Sequence, residues 1–140
     1  MLSATTIKKL VLLLVIIPIG FLTKVYTGFG AEFVHNHLGG IIYVVFFILF
    51  TSIFFSKANP LVLSVIVLFV TILLEFTQLI QNPTLNKLRQ YFIVRALFGG
   101  VFNMIDLLYY IVGALSGYGF LVSLKWKIFS NNKKKKISDN

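Results

Sequence analysis

The residues of this chain that could do chemistry stand mainly inside apolar segments, and the first group forms a polar stripe. The stripe comprises Ser64, Thr71, Glu75, Gln78 and Asn82, whose successive spacings are seven, four, three and four residues. These spacings place the five side chains on one face of an α-helix. No charged residue occurs from Pro60 to Leu74, so Glu75 is a lone carboxylate at the end of an apolar run.

A second group, in the last apolar segment, has helical spacing as well: Asp106, Tyr110, Gly113 and Gly117. Two glycines four residues apart let the backbone of a neighbouring helix approach closely. A polar stripe is costly against lipid and a glycine stripe favours contact, so the simplest packing sets the two segments against each other. The side chains then expected to be neighbours are Glu75, Gln78, Asp106 and Tyr110.

Glu75 needs a partner if its helix lies in a membrane. A carboxylate at the bilayer centre costs about 2.5–3.5 kcal/mol, and it must either be protonated or be paired with a cation. Arg95, in the apolar sequence FIVRALF, would be costly by itself for the same reason. We predict that Glu75 pairs with Arg95 and that Asp106 is a second partner. Such a cluster can also serve only to hold helices in register, and the sequence alone does not separate that role from ligand binding.

The sequence AEFVHNHLGG raises the question of a metal site. His35 and His37, with Glu32 nearby, contain zinc-binding side chains. Two helical residues two positions apart face different sides, however, and no third ligand has a characteristic spacing. We therefore predict no metal and no other cofactor. The chain has no cysteine, which excludes disulfides and thiol nucleophiles, and no other motif assigns a catalytic residue.

The amino-acid composition indicates whether water or lipid surrounds this protein. The 140 residues are 58% hydrophobic and 12% charged, with a mean hydropathy of +0.92. A single domain of this size could not bury so much apolar surface in water, so lipid must surround it. The net charge of +9 comes from basic residues that flank apolar runs. This distribution sets membrane orientation, and we predict no nucleic-acid partner.

Four apolar segments have about the 17–25 residues that a membrane-spanning helix needs. They are Leu10–Tyr26, Leu38–Phe55, Pro60–Gln81 and Asp106–Leu124. The segment TLNKLRQYFIVRALFGGVFNM, before the last span, is too apolar for a solvated loop and is predicted to be re-entrant or interfacial, bending at Gly99-Gly100. The predicted fold is all-α: a polytopic membrane bundle of four transmembrane helices over residues 1–126, with a basic cytoplasmic tail over residues 127–140.

Lysine and arginine counts predict the orientation of the bundle. With both termini in the cytoplasm, nine basic residues lie inside: Lys8, Lys9, Lys57, Lys125, Lys127 and Lys133–Lys136. Four lie outside: Lys24, Lys87, Arg89 and Arg95. This bias predicts cytoplasmic N- and C-termini. The long connections Val25–His37 and Asn82–Ile105 then fall on the outer face.

The run LLEFTQLIQNPTLNKLRQYFIVRALFGGVFNMIDLLYYIVGALSG resembles a bacterial membrane family known as domain of unknown function 2809. The pattern of that family falls here on Glu75, Phe76, Gln78, Leu79, Pro83, Leu85, Asn86, Arg89, Leu97, Gly99, Asp106, Leu107, Tyr110 and Gly113. The resemblance covers residues from about 20 to 118. More distantly the chain is similar to the VanZ-like family, through Glu75, Gln78, Arg95, Asp106 and Gly113. These resemblances imply the cytoplasmic membrane of a bacterial cell envelope, and they imply no reaction.

We expect a non-enzymatic protein that binds a polar or lipid-linked anionic ligand near the outer leaflet. The candidate ligand-binding residues are Glu75, Gln78, Arg89, Arg95, Asp106 and Tyr110. The arginines would hold an anionic group such as phosphate, and the expected partner is a membrane lipid or lipid-linked envelope molecule. One alternative is a small ion- or proton-coupled transporter working as an oligomer, and another is an envelope enzyme with Glu75 or Asp106 as acid–base, helped by His35. The sequence leaves the oligomeric state open.

Overall fold

The computed structural model describes residues 3–80, 82–94 and 102–138, except for the side chains of residue 36 and of residues 126–138. Within these ranges the chain is helical and has no strand. The α-helices are α1 (Ala4–Val25), α2 (Ala31–Phe33), α3 (Gly39–Phe54), α4 (Pro60–Thr77), α5 (Pro83–Leu88) and α6 (Met104–Ser138). A π-helical turn, Val34–Leu38, joins α2 to α3 without a break.

Side-chain caps explain where three of these helices begin. Ser3 caps α1 by accepting a hydrogen bond from the backbone N–H of Thr6. The dipeptide Asn-Pro starts both α4 and α5: in each case the asparagine Oδ1 accepts from the N–H two residues further on, at 2.9 Å. Proline suits the first helical position because its missing N–H would have no partner there.

The predicted spans differ from the observed helices mainly at their ends. The helix α1 begins earlier than Leu10, and α4 ends at Thr77 rather than near Gln81. The helix α6 continues to Ser138, through the predicted boundary between residues 126 and 127. Hydropathy locates the part of a helix that lipid can surround. The helix itself continues for as long as its backbone hydrogen bonds continue.

The helix α3 is the centre of the bundle and packs against α1, α4 and α6. Its residues Val44, Val45, Ile48 and Leu49 are buried and form the largest share of the core that any one helix contributes. The helix α1 lies on the outside of α3 and leaves a broad apolar surface exposed.

The helix α6 packs against α4, as predicted from sequence, but its glycine stripe faces α3. A Cβ atom added at Gly113 would lie 2.9 Å from the carbonyl oxygen of Ile41 and 3.0 Å from the Cβ of Val44. A Cβ at Gly117 would lie 2.7 Å from the Cδ1 of Ile48. The helix α6 does contact α4, but its closest approach is to α3. The sequence shows which helix carries the glycines, but it does not show which neighbouring helix packs against them.

Lysine side chains mark one end of the bundle, which we call the terminal end. Lys9 is 4% exposed, and its Nζ donates to the carbonyl of Ser52 in the last turn of α3, at 2.7 Å. Lys125 donates to the carbonyl of Ala58 at 3.0 Å. These ammonium groups satisfy carbonyls that a helix end and a loop leave without partners. The opposite end, which we call the loop end, carries residues 26–38 and the described parts of the connection from α4 to α6, residues 78–80, 82–94 and 102–103.

Three helices are long and apolar enough to cross a bilayer: Ala4–Val25, Pro60–Thr77 and the Met104–Lys125 part of α6. The apolar helix Gly39–Phe54 has 16 residues and is shorter. Most large apolar side chains of α1, α4 and α6 are exposed on the outer sides of these helices, as lipid contact requires. The described chain is therefore a membrane protein.

The segment before α6 is described only in part. The helix α5 is exposed, and the ring of Phe92 packs edge-on against that of Phe21 in α1, with centroids 6.0 Å apart. This contact holds the segment against the side of α1 near the loop end. The predicted bend at Gly99-Gly100 lies outside the described residues.

Candidate functional site

Glu75 is the centre of a buried polar cluster at the loop end. The residue lies in the last turn of α4 and is 2% exposed. Its Oε2 accepts hydrogen bonds from the Nε2 of Gln78 at 2.9 Å and from the hydroxyl of Tyr110 at 2.6 Å. Its Oε1 accepts from the backbone N–H of Asn103 at 3.2 Å. Three donors therefore satisfy the carboxylate, as burial demands.

The bond to Asn103 places the carboxylate of Glu75 at the start of α6. Asn103 precedes the first residue of α6, and its own Oδ1 accepts from the N–H of Ile105 at 3.1 Å. The first N–H groups of a helix have no partner within the helix and carry partial positive charge. An acidic group at that position is favourable, so Glu75 joins the end of α4 to the beginning of α6.

Tyr110 reaches Glu75 because a glycine on α3 makes room for its ring. A Cβ atom added at Gly40 would lie 3.0 Å from the Cε1 of Tyr110. Any larger side chain at position 40 would push the ring away from α3. The structure thus brings Gln78 and Tyr110 to Glu75, which is the proximity expected from the helical spacing.

Asp106 faces His37, a pairing that the sequence did not reveal. Its Oδ1 lies 3.5 Å from the Nδ1 of His37, and both side chains are mostly buried. The imidazole stacks on the ring of Tyr109, with centroids 4.2 Å apart, and the ring of Phe33 packs edge-on against both. The sequence contained one clue to this pairing, the spacing of His37 and Gly40. Residues three positions apart lie on the same face of a helix, and here that face meets α6.

His35 points elsewhere. Its Nε2 lies 2.6 Å from the carbonyl oxygen of Tyr26, and its own carbonyl accepts from the Nζ of Lys24 at 3.1 Å. The two histidines therefore have different surroundings, and His37 is the one that meets an acid. Across the described residues, no three histidine or acidic side chains come together as metal ligands would.

Three buried polar atoms of this end have no hydrogen-bond partner among the described residues. They are Gln78 Oε1, Asp106 Oδ1 and His37 Nδ1. The distance of 3.5 Å between the last two exceeds that of a normal hydrogen bond. Gln78 is 5% exposed, so its open oxygen is well buried. Native proteins rarely leave such atoms without a partner.

Arg89 caps the end of α4. Its guanidinium donates to the carbonyl oxygens of Thr77 and Ile80, at 3.0 and 3.4 Å, and to the Oδ1 of Asn86 at 3.3 Å. Thr77 is the last residue of α4 and Ile80 follows it closely, so the guanidinium lies at the C-terminal end of that helix, where a positive charge is favourable. Three of its five N–H donors are engaged in this way.

Arg95 lies outside the described residues, and so does the predicted pairing of Glu75 with Arg95. The described partners of Glu75 are neutral donors, and they already occupy both of its oxygens. Asp106 meets His37 and lies close enough to Lys24 to interact with it electrostatically.

The fold and this cluster define a class: an all-helical membrane protein with a buried carboxylate that joins two helices at one end of the bundle. A family model described as protein of unknown function (DUF2809) matches residues 29–114, more than half of the chain. The chain belongs to this family. The match includes α2 to α5 and the part of α6 that carries Asp106 and Tyr110. No curated protein and no solved structure matched the chain.

Proposed function

We propose that this protein crosses the bacterial cytoplasmic membrane four times, with both termini in the cytoplasm, and binds a polar or lipid-linked anionic ligand at the loop end. The ligand site consists of Glu75, Gln78, Arg89, Arg95, Asp106 and Tyr110, and it faces the outer leaflet. Binding, rather than catalysis, is the role of the site.

The continuity of α2, the π-helical turn and α3 supports a fourth span. The helix Gly39–Phe54 alone is about 24 Å long at 1.5 Å per residue, less than the hydrocarbon thickness of about 30 Å. The unbroken helix from Ala31 to Phe54 reaches about 36 Å, which is sufficient. The excess of lysines at the terminal end supports placing that end in the cytoplasm.

The observation that carries the binding proposal is the open oxygen of Gln78, together with the open atoms of Asp106 and His37. Glu75 has all the donors it needs and serves as the support that holds Gln78 and Tyr110 in place. A ligand then makes its hydrogen bonds at the atoms that the protein leaves open.

The arginines hold the anionic part of the ligand in this proposal. Arg89 keeps two N–H donors beyond the three that bond Thr77, Ile80 and Asn86, and in this proposal they bind a phosphate at the end of α4. Arg95 supplies the second guanidinium, and bidentate contact with phosphate is the geometry that arginine provides best.

The test compares Arg95→Ala with Lys87→Ala, which removes an exposed charge on the same connection. Purified protein is heated in mild detergent with and without phosphatidic acid, whose head group is phosphate alone. The wild type and Lys87→Ala should melt at a higher temperature with the lipid, and Arg95→Ala should lose that protection while its melting temperature without lipid stays the same. Full protection of Arg95→Ala would contradict the proposal.

One observation favours an envelope enzyme as the second candidate. His37 beside Asp106 is the arrangement of a base and the acid that orients it. His37 then replaces His35 in the acid–base role considered from sequence. A hydrolytic activity lost in His37→Gln and kept in His35→Gln would favour this alternative over binding.

A further inference from the structure

We infer that the loop-end site recognises a zwitterionic head group with a primary ammonium, such as phosphoethanolamine. This inference rests on the proposed function and names the class of ligand that the site takes. The ammonium meets Asp106 and Gln78, and Lys24 joins the arginines of the proposed site as a cation for the phosphate.

The two open oxygens require a ligand that brings hydrogen-bond donors. Gln78 Oε1 and Asp106 Oδ1 are both acceptors, and neither accepts a hydrogen bond from the residues described here, although His37 Nδ1 lies 3.5 Å from Asp106 Oδ1. A phosphate oxygen offers them nothing, because it is itself an acceptor. An ammonium has three N–H donors and a charge that a carboxylate attracts.

Gln78 and Asp106 both lie on the loop-end side of Glu75 and Tyr110 along their helices. Gln78 follows Glu75 by three residues toward the loop end, and Asp106 precedes Tyr110 by four residues on α6, which starts at that end. At 1.5 Å per residue these backbone offsets are about 4.5 and 6 Å toward the loop end. In this inference the Glu75–Tyr110 bond is the floor of the site.

Aromatic rings beside Asp106 favour the same ligand. Tyr109 follows Asp106 by three residues, stacks on His37 and meets the edge of Phe33. His37 covers one face of the Tyr109 ring, so an ammonium beside Asp106 gains cation–π attraction from the other face as well as attraction to the carboxylate. No comparable gain exists for a purely anionic head group.

Lys24 supplies the opposite charge. Its Nζ donates to the carbonyl of His35 at 3.1 Å, and the residue is near enough to Asp106 to interact electrostatically. A site with an anion and a cation side by side matches a zwitterion better than it matches a singly charged ligand. Phosphoethanolamine offers its two charges in this way.

The experiment measures binding of four lipids with identical dioleoyl chains to the full-length protein by native mass spectrometry. Phosphatidylethanolamine has a primary ammonium, phosphatidylcholine a cation without N–H donors, phosphatidylglycerol hydroxyl groups, and phosphatidic acid phosphate alone. We expect phosphatidylethanolamine to bind at least fivefold more tightly than phosphatidylcholine. Asp106→Asn should reduce this preference below twofold, whereas Glu32→Gln, which removes an exposed acid from the same end, should keep it.

Gln78→Met provides a second variant in case Asp106→Asn does not fold, since methionine keeps the length of the side chain without the amide oxygen. A parallel binding measurement with soluble O-phosphoethanolamine identifies the source of the ligand. Binding of the soluble compound indicates a free ligand, and binding of the lipid alone indicates a membrane lipid. Either result supports the inference.

Two outcomes overturn it. Equal affinity for all four lipids, unchanged in Asp106→Asn, would refute ammonium recognition while leaving phosphate binding, and thus the proposed function, in place. Absence of binding by every lipid and by the soluble compound would refute both.

Discussion

At the scale of single residues, Glu75 shows how an apolar helix can carry a carboxylate. The cost of burying the group is offset by three hydrogen bonds, one of which comes from the unpaired N–H groups at the start of α6. The described partners of Glu75 are all neutral donors, and they account for the positions of Glu75 and Gln78 in the polar stripe of α4. Tyr110 suits this position on α6 because its apolar ring can be buried between helices while its hydroxyl donates to Glu75.

Tyr110→Phe should lower the stability of the bundle by about 1–2 kcal/mol, because it removes a hydrogen bond to a buried carboxylate and leaves the ring in place. The measurement is unfolding of the purified protein in detergent micelles. Tyr118→Phe is the matched control: it makes the same change on the same helix, at a hydroxyl with no described hydrogen bond, and should be neutral. Equal stability of wild type and Tyr110→Phe would show that Glu75 does not depend on this donor.

At the scale of helices, the seam between α3 and α6 is the closest contact of the fold. Gly40 accommodates Tyr110, Gly113 accommodates the backbone of Ile41, and Gly117 accommodates Ile48. The shortest of the apolar helices is consequently also the most buried, since it has neighbours on several sides. The seam connects the polar cluster to the core, because Tyr110 belongs to both.

Gly113→Ala should destabilise the protein by about 1–3 kcal/mol, since a methyl group there would meet the carbonyl oxygen of Ile41 at 2.9 Å and force the helices apart. Gly119→Ala is the control on the same helix, where an added Cβ has nothing within 4 Å. The control should be neutral or stabilising by up to about 1 kcal/mol, because alanine is the better helix former. The measurement is thermal unfolding of the two variants and the wild type in the same micelles. A Gly113→Ala variant as stable as the wild type would contradict the close packing of α6 on α3.

At the scale of the whole molecule, the two ends of the bundle differ in chemistry. The terminal end carries lysines that cap carbonyls, as Lys9 and Lys125 do. Among the described residues, the loop end carries the acids Glu32, Glu75 and Asp106, both histidines and the polar cluster. A membrane protein with such polarity presents different surfaces to the two sides of the bilayer, and its orientation decides from which side the proposed ligand would come.

The absence of cysteine allows a direct test of orientation and of the fourth span. Thr27→Cys and Thr84→Cys, at exposed positions of the loop end, should react with a membrane-impermeant maleimide in intact cells. Ser56→Cys, at the exposed turn after α3, should react only after the cells are opened. Reaction of Thr27→Cys and Ser56→Cys from the same side would show that α3 does not cross the membrane.

Much of this protein could be predicted from its sequence because lipid imposes a simple rule on the chain. Every backbone group within the bilayer must be bonded internally, so long apolar runs become helices, and hydropathy locates them. Helical spacing likewise predicted that Gln78 and Tyr110 would be near Glu75. The start of α4 at Pro60 follows from the Asn-Pro dipeptide in the same way.

Only the tertiary structure decided which faces meet. The sequence shows that Gly113 and Gly117 favour a closely packed neighbouring helix. How well the side chains of each helix fit the surface of the other determines that this neighbour is α3. The pairing of Asp106 with His37 rather than His35 depends on how the π-helical turn directs its side chains. Periodicity along one helix carries information about that helix alone, whereas contacts between helices depend on packing of both surfaces at once.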